Sequence, residues 1–265
     1  MFIDSHCHLD RLELAPYGHD FARFVLETEA QQIAHMLCVA ISLEAYPAML
    51  NLVRDYDHIS VSVGVHPNEQ DCHEPSVEEV VELASNPKVV AVGETGLDYF
   101  RSEADTGWQH ERFRTHIRAA RAAGKPLIVH TREARADTLR ILAEEGAGEV
   151  GGVLHCFTED WETAKGGLDL NFFISFSGIV TFRNAAQIQD VARRVPVDRF
   201  LIETDSPYLA PIPHRGKPNY PHYVRHVAQF IADLRQMTLE ETADVTSRNY
   251  HTLFGNRKQA GIGLP

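Results

Sequence analysis

Residues 126–157, PLIVHTREARADTLRILAEEGAGEVGGVLHCF, carry the reading that decides the fold. PLIVH (126–130) and VGGVLH (150–155) are short apolar runs, and the segment between them is longer and more polar, with helical period. Strand, helix and strand in about 30 residues make one βαβ unit. Each strand ends on a histidine, His130 and His155, in otherwise apolar company.

The pattern extends in both directions. Strands are predicted over Phe2–Ser5, His35–Ile41, Ile59–Val65, Lys88–Gly93, Pro126–His130, Val150–His155, Asn171–Ser177 and Arg199–Glu203. Val77, Val80, Val81 and Ala84, and later Ala185, Ile188, Val191, Ala192 and Val195, each give one apolar helix face. Ser76 with Glu79, and Thr238 with Glu241, read as capping boxes. Eight units in 265 residues average about 33 residues each, close to the size of a closed (β/α)8 TIM barrel. An open doubly wound sheet would carry a glycine-rich turn after its first strand, and DSHCHLD (4–10) has no glycine. No Ser/Gly-rich linker divides the chain, so residues 1–265 are read as one α/β domain. Val224, Val227, Ile231 and Leu234 continue the helical pattern, followed by a short capped helix from Thr238 and a polar tail, 256–265, expected to fray.

Twenty-five Lys and Arg stand against 37 Asp and Glu, a formal charge of −12 that argues against non-specific wrapping of nucleic acid. No apolar run approaches the ~20 residues of a membrane span, and the start lacks the pattern of a secretory signal. Cys7, Cys38, Cys72 and Cys156 show no CxxC spacing. A cytoplasmic protein, monomeric, without membrane association or a stable protein partner, is the expectation.

Candidate chemistry gathers where strands stop: HCH, HPN, ETGLD, HTR, HCF, SG and TDSP. In a parallel barrel all C-terminal strand ends meet at one rim. His6 and His8, two apart on a strand, point to one face, with Cys7 opposite. His130, His155, Glu94 and Asp205 complete four imidazoles and two carboxylates, donors suited to Zn²⁺, Mn²⁺ or a similar ion. Six ligands are many for one catalytic ion, so two divalent ions bridged by Glu94 are expected, with hydrolysis as the chemistry. Parity assigns Cys7 and Cys156 to the face away from their histidine neighbours, as buried hydrophobes. Neither Ser177 nor Ser206 lies in a GxSxG motif, which disfavours a serine nucleophile.

DSHCHLD (4–10), GVHP (64–67), GETGLDY (93–99), PLIVHTREA (126–134), GVLHCF (152–157), ISFSGIVTFRNA (174–185) and ETDSPYLAPIPHRGKPNYP (203–221), in this order, resemble the TatD-type metal-dependent deoxyribonucleases, and within them the bacterial YcfH-like branch. The resemblance implies two divalent ions, one on His6, His8 and Asp205, the other on His130 and His155, with Glu94 between. It also implies 3′-to-5′ exonuclease action on single-stranded DNA or RNA.

A bimetal-activated water attacking a phosphodiester assigns Asp205 as proton acceptor, Glu203 as its support on the same strand face, and His66 as hydrogen-bond donor to the phosphate or leaving group. Tyr99, Arg132, Arg183, His214, Arg215 and Lys217 are the candidates for substrate contact. The alternatives are a carboxylic ester or amide hydrolase, such as a D-aminoacyl-tRNA deacylase or an amidohydrolase-type enzyme, and a non-catalytic metal or nucleic-acid binding barrel. Many amidohydrolase-type barrels bridge their metals with a carboxylated lysine after the fourth strand, where this chain has Glu94.

Overall fold

A computed structural model describes residues 1–70, 72–100 and 106–255. Its strands are β1 Phe2–Cys7, β2 Ile33–Cys38, β3 Ile59–Val63, β4 Val89–Asp98, β5 Leu127–Arg132, β6 Gly152–Leu154, β7 Phe172–Phe176 and β8 Phe200–Ile202. They form one eight-stranded parallel sheet paired in sequence order. Helices fill the crossovers: α1 Phe21–Glu29, α2 Tyr46–Val53, α3 Val77–Ala84, α4 Gly107–Ala123, α5 Arg135–Glu144, α6 Trp161–Asp169 and α7 Ala186–Arg194, then α8 Val224–Arg235 and α9 Leu239–Phe254 after the last strand. This is the TIM barrel expected.

Among the described residues β8 and β1 share no regular ladder, and the isolated parallel bridge between Cys7 and Ser206 spans the seam. The seam is closed by side chains and by the segment beyond β8. Asp4 Oδ1 accepts the Thr204 N–H at 2.9 Å, Ser5 Oγ donates to the Ile202 carbonyl at 2.9 Å, and the Asp205 N–H donates to the His6 carbonyl at 2.9 Å. The seam thus ties the first histidine motif to the Asp205 segment.

Strand alternation divides the core in two. Ile3, Leu37, Ala91, Ile128, Val153, Phe173 and Leu201 point inward, and Tyr250, Leu253 and Phe254 of α9 join them. The other face, including Phe2, Met36, Val61, Val129, Phe172 and Phe200, packs beneath the helices. At about 25 cal/mol per Å² of apolar surface removed from water, these layers are the main source of stability.

Several boundaries differ from the sequence reading. β2 starts and ends earlier, whereas β4 runs five residues beyond Gly93 to Asp98. β6 and β8 stop at Leu154 and Ile202, before His155 and Glu203. The helix from Thr238 is 16 residues long rather than short, because its apolar face covers the barrel interior; Asn249 Nδ2 also donates to the Val197 and Phe200 carbonyls. Thr238 and Glu241 do form the reciprocal cap. Ser76 makes only half of one: it accepts the Glu79 N–H, while the Glu79 carboxylate lies 2.9 Å from His73 Nε2 instead. The tail 256–265 lies outside the described residues.

Candidate metal centre

The C-terminal strand ends open into a cavity of about 640 Å³. His8, His66, Glu94, His130, His155 and Asp205 line it, with His6 buried directly beneath. Glu94 is the hub. Its Oε2 stands 3.4 Å from His6 Nε2 and 4.0 Å from His8 Nε2, and its Oε1 is 2.7 Å from His155 Nε2, 3.1 Å from His130 Nδ1 and 3.3 Å from His66 Nε2. One carboxylate thus turns Oε2 toward His6 and His8 and Oε1 toward His155, His130 and His66, and the two sets meet where His6 stacks on His155 with centroids 4.0 Å apart. Asp205 belongs with the first, its Oδ1 3.4 Å from His8 Nε2 and 3.7 Å from His6 Nε2.

The centre suits cations. Burial opposes charge on Glu94, but the surrounding imidazoles, His155 foremost, hold its carboxyl well below the ordinary value. For Asp205, burial is likewise outweighed by the hydrogen bond to His8 and the nearby imidazoles. His6 Nε2 and His8 Nε2 are 3.4 Å apart, close to the separation of two nitrogens each about 2.0–2.1 Å from one tetrahedral ion. Buried His6 Nδ1 has no hydrogen-bond partner among the described residues.

Hydrogen bonds sort the imidazoles further, through the nitrogen that carries the proton. His8 Nδ1 faces the Val39 carbonyl at 3.0 Å, His130 Nε2 faces Asp98 Oδ2 at 3.2 Å, and His155 Nδ1 faces Glu203 Oε1 at 3.3 Å. Each oxygen accepts a proton there and leaves the other nitrogen's lone pair aimed at the centre. His66 is the reverse: its Nδ1 accepts the Asn68 N–H at 3.0 Å, so neutral His66 carries its proton on Nε2, facing Glu94. Proximity alone would group His66 with Glu94 and His130 as a ligand triplet. Its backbone contact instead occupies the Nδ1 lone pair and leaves an Nε2–H facing Glu94.

Two residues that sequence reasoning passed over belong here. Asp98 supports His130, accepts from Asn68 Nδ2 at 2.8 Å and, through Oδ1, from the Phe100 N–H at 3.0 Å. The ETGLD motif contained it, but a strand ending at Gly93 concealed its position. Arg112 of α4 is almost fully buried and donates to the His66 and Glu69 carbonyls while pairing with Glu74, so it holds the loop that carries His66. Nothing in the local pattern marks it.

Glu203 is fully buried, accepting the Cys156 N–H at 2.7 Å and Ser175 Oγ–H at 2.5 Å. Its Oε1 also meets His155 Nδ1 at 3.3 Å. The shared strand face with Asp205 does not exist, because β8 has ended and Asp205 has φ of 55°. Cys156 also departs from expectation. Past the end of β6, with φ of 43°, it escapes strand alternation, lines the cavity and lies 3.2 Å from Ser177 Oγ. Cys7 does turn away, its thiol donating to the Leu37 carbonyl.

Of the six substrate-contact candidates, only Arg132 lines the cavity. Tyr99 is turned toward the helices, its hydroxyl donating to Asp137 at 2.7 Å beside His110. His214 stacks on Tyr223 with ring centroids 3.9 Å apart, and Arg215 lies over Phe182. Arg183 and Lys217 are exposed away from the cavity. Among the described residues no lysine lines the cavity; Lys88, at the start of β4, donates to the Tyr56 and Ile59 carbonyls.

Comparison with known proteins agrees with this geometry. The family model described as TatD related DNase matches residues 3–255. The chain is 52% identical over 253 residues to the uncharacterized metal-dependent hydrolase YcfH of Escherichia coli K12, covering 95% of each. It is 30% identical to the 3′-5′ ssDNA/RNA exonuclease TatD of Escherichia fergusonii, covering 92% of this chain and 96% of that one. The crystal structure of YjjV, a TatD homolog from Escherichia coli K12, superposes with a TM-score of 0.88 at 27% identity, covering 96% and 98%. With its barrel, its clustered metal-binding side chains and these relatives, the chain belongs to the TatD-related DNase family and is a metal-dependent hydrolase.

Proposed function

We propose that this protein hydrolyses the phosphodiester bonds of single-stranded DNA or RNA, from the 3′ end, at a centre for two divalent ions. The observation that carries the reading is Glu94, whose two oxygens face different imidazoles, Oε2 toward His6 and His8 and Oε1 toward His130 and His155. Ions held there would acidify water and offset the negative charge of phosphate oxygens.

The chain's own groups supply the rest. Asp205, a carboxylate at neutral pH beside His8, accepts the proton of the attacking water. His66, with its Nε2–H fixed by the Asn68 contact, donates to a phosphate oxygen or the leaving oxygen. Glu203 and Asp98 hold His155 and His130 in orientation. The recessed site is more accessible to a flexible strand end than to a linkage inside a stacked duplex. The name of the TatD exonuclease relative supports the same substrate class and direction.

Purified, metal-loaded protein should be assayed on 5′-labelled single-stranded DNA and RNA, on duplex DNA and on a D-aminoacyl ester. A ladder shortening from the 3′ end of single strands is the expected result. Faster ester hydrolysis than strand cleavage, or equal cleavage of duplex, would overturn the assignment.

A further inference from the structure

Two cations and one exposed ring of the cavity lining, with a second exposed ring stacked on one of those cations, have no part in the hydrolysis described above. Arg11 follows β1 and Arg132 ends β5, and both line the cavity. In an eight-stranded barrel paired in sequence order, the first and fifth strands stand on opposite walls. Arg11 and Arg132 therefore join the cavity lining from opposite walls of the barrel.

An exposed aromatic ring accompanies each wall. The Arg132 guanidinium lies 3.8 Å from the centroid of Phe100, which follows β4, the neighbour of β5. Tyr208 follows β8, which adjoins β1 across the seam; it lines the cavity and meets His8 edge-on with centroids 6.0 Å apart. Phe100 is 55% exposed and Tyr208 49%. Single exposed apolar side chains are ordinary on a protein surface. Two rings, each on a wall that also carries a cavity-lining arginine, are a different arrangement.

Neither arginine is held in a close ion pair among the described residues. Among the described residues Arg132 has no carboxylate within ion-pair distance, and Arg11 has only its chain neighbour Asp10, at 3.9 Å. Guanidinium matches phosphate geometry, and an exposed ring offers a sequence-tolerant face for a base. Phosphate and base alternate in just this way along a single strand.

We propose that the mouth grips the nucleotides on both sides of the scissile phosphodiester, with Arg132 and Phe100 on one wall and Arg11 and Tyr208 on the other. This rests on the nuclease reading and adds the residues that select a polynucleotide over a small diester. With cations this few on a chain of net charge −12, the grip is local.

The test compares a single-stranded decanucleotide with bis(p-nitrophenyl) phosphate on the metal-loaded protein. Arg132→Gln, Phe100→Ala, Arg11→Gln and Tyr208→Ala should each raise KM for the decanucleotide. Each should also lower the ratio of its kcat/KM to that of the small diester about tenfold. Phe100→Trp should restore the ratio. Loss of either arginine should flatten the log KM against log salt slope by about 0.7, one phosphate's worth on a single strand. Equal losses on both substrates, or an unchanged decanucleotide KM, would overturn the grip and leave the nuclease reading intact. Parent protein that hydrolyses the small diester but not the decanucleotide would instead end both.

Discussion

The Asp98 carboxylate lies 3.2 Å from His130 Nε2, on the side of the ring away from Glu94. It fixes the proton on Nε2 and leaves Nδ1 as the nitrogen available to an ion, so an acid outside the ligand set governs how one ligand is presented.

Replacing Asp98 should therefore weaken metal binding without touching a ligand. Asp98→Ala is expected to lower affinity at the His130 site 10- to 100-fold, and Asp98→Asn, which keeps an oxygen acceptor, less. Calorimetric titration of the metal-free proteins checks this. Unchanged affinity in Asp98→Ala would remove the assigned role.

Stripping the metal should stop turnover and leave the barrel standing, because the inner and outer cores are built from apolar side chains. Circular dichroism of chelated protein should keep its helical signal and a cooperative melt, and elemental analysis after reloading should find two ions per chain. Glu94→Gln should lose metal, since an amide supplies one weak oxygen where the centre uses two anionic ones.

Asp205→Asn separates ligation from proton transfer. The amide keeps an oxygen near His8 but cannot accept a proton, so turnover should fall about 100-fold or more while much of the metal is retained. Near-parental activity in a metal-replete variant would show that another group takes the proton.

Acid should unfold the protein partly through His116. This buried ring accepts the Val65 N–H on Nε2 at 3.0 Å, and burial lowers its pKa to about 4. Between pH ~6.5 and ~4 the unfolded chain binds a proton that the folded one refuses, so stability falls as pH falls through that window, by up to about 1.4 kcal/mol per pH unit from this group. His116→Gln keeps an acceptor for Val65 and should make urea-derived stability less steep with pH there. An identical slope would exclude the contribution.

The His6–His8 pair was legible although β1 ends at Cys7, because the chain stays on the negative-φ side through His8 (φ −114°) and both rings reach the centre, and so was Glu94, placed by the apolar run before it. Asp98 was hidden by two glycines that look like the end of a strand. Gly96, at φ 135°, in fact lets β4 pass so close to β5 that a Cβ there would strike the His130 carbonyl, and the strand continues to bring Asp98 to His130. Cys156 and Glu203 were misread for the converse reason: alternation was extended past strands that had already ended at Leu154 and Ile202. Tyr99 and His214 carry suitable chemistry, but their orientation depends on Asp137 and Tyr223, which no local pattern connects to them.

Periodicity alone was enough for the class of fold and for the rim to which the histidines and acids converge, since both follow from which residues along a strand or helix must be buried. Which nitrogen each imidazole presents depended on partners such as Val39, Asp98 and Glu203, lying 31, 32 and 48 positions from the histidines they orient. A proton on an imidazole goes to the nitrogen that meets an acceptor in space, and that meeting exists only once the barrel has closed.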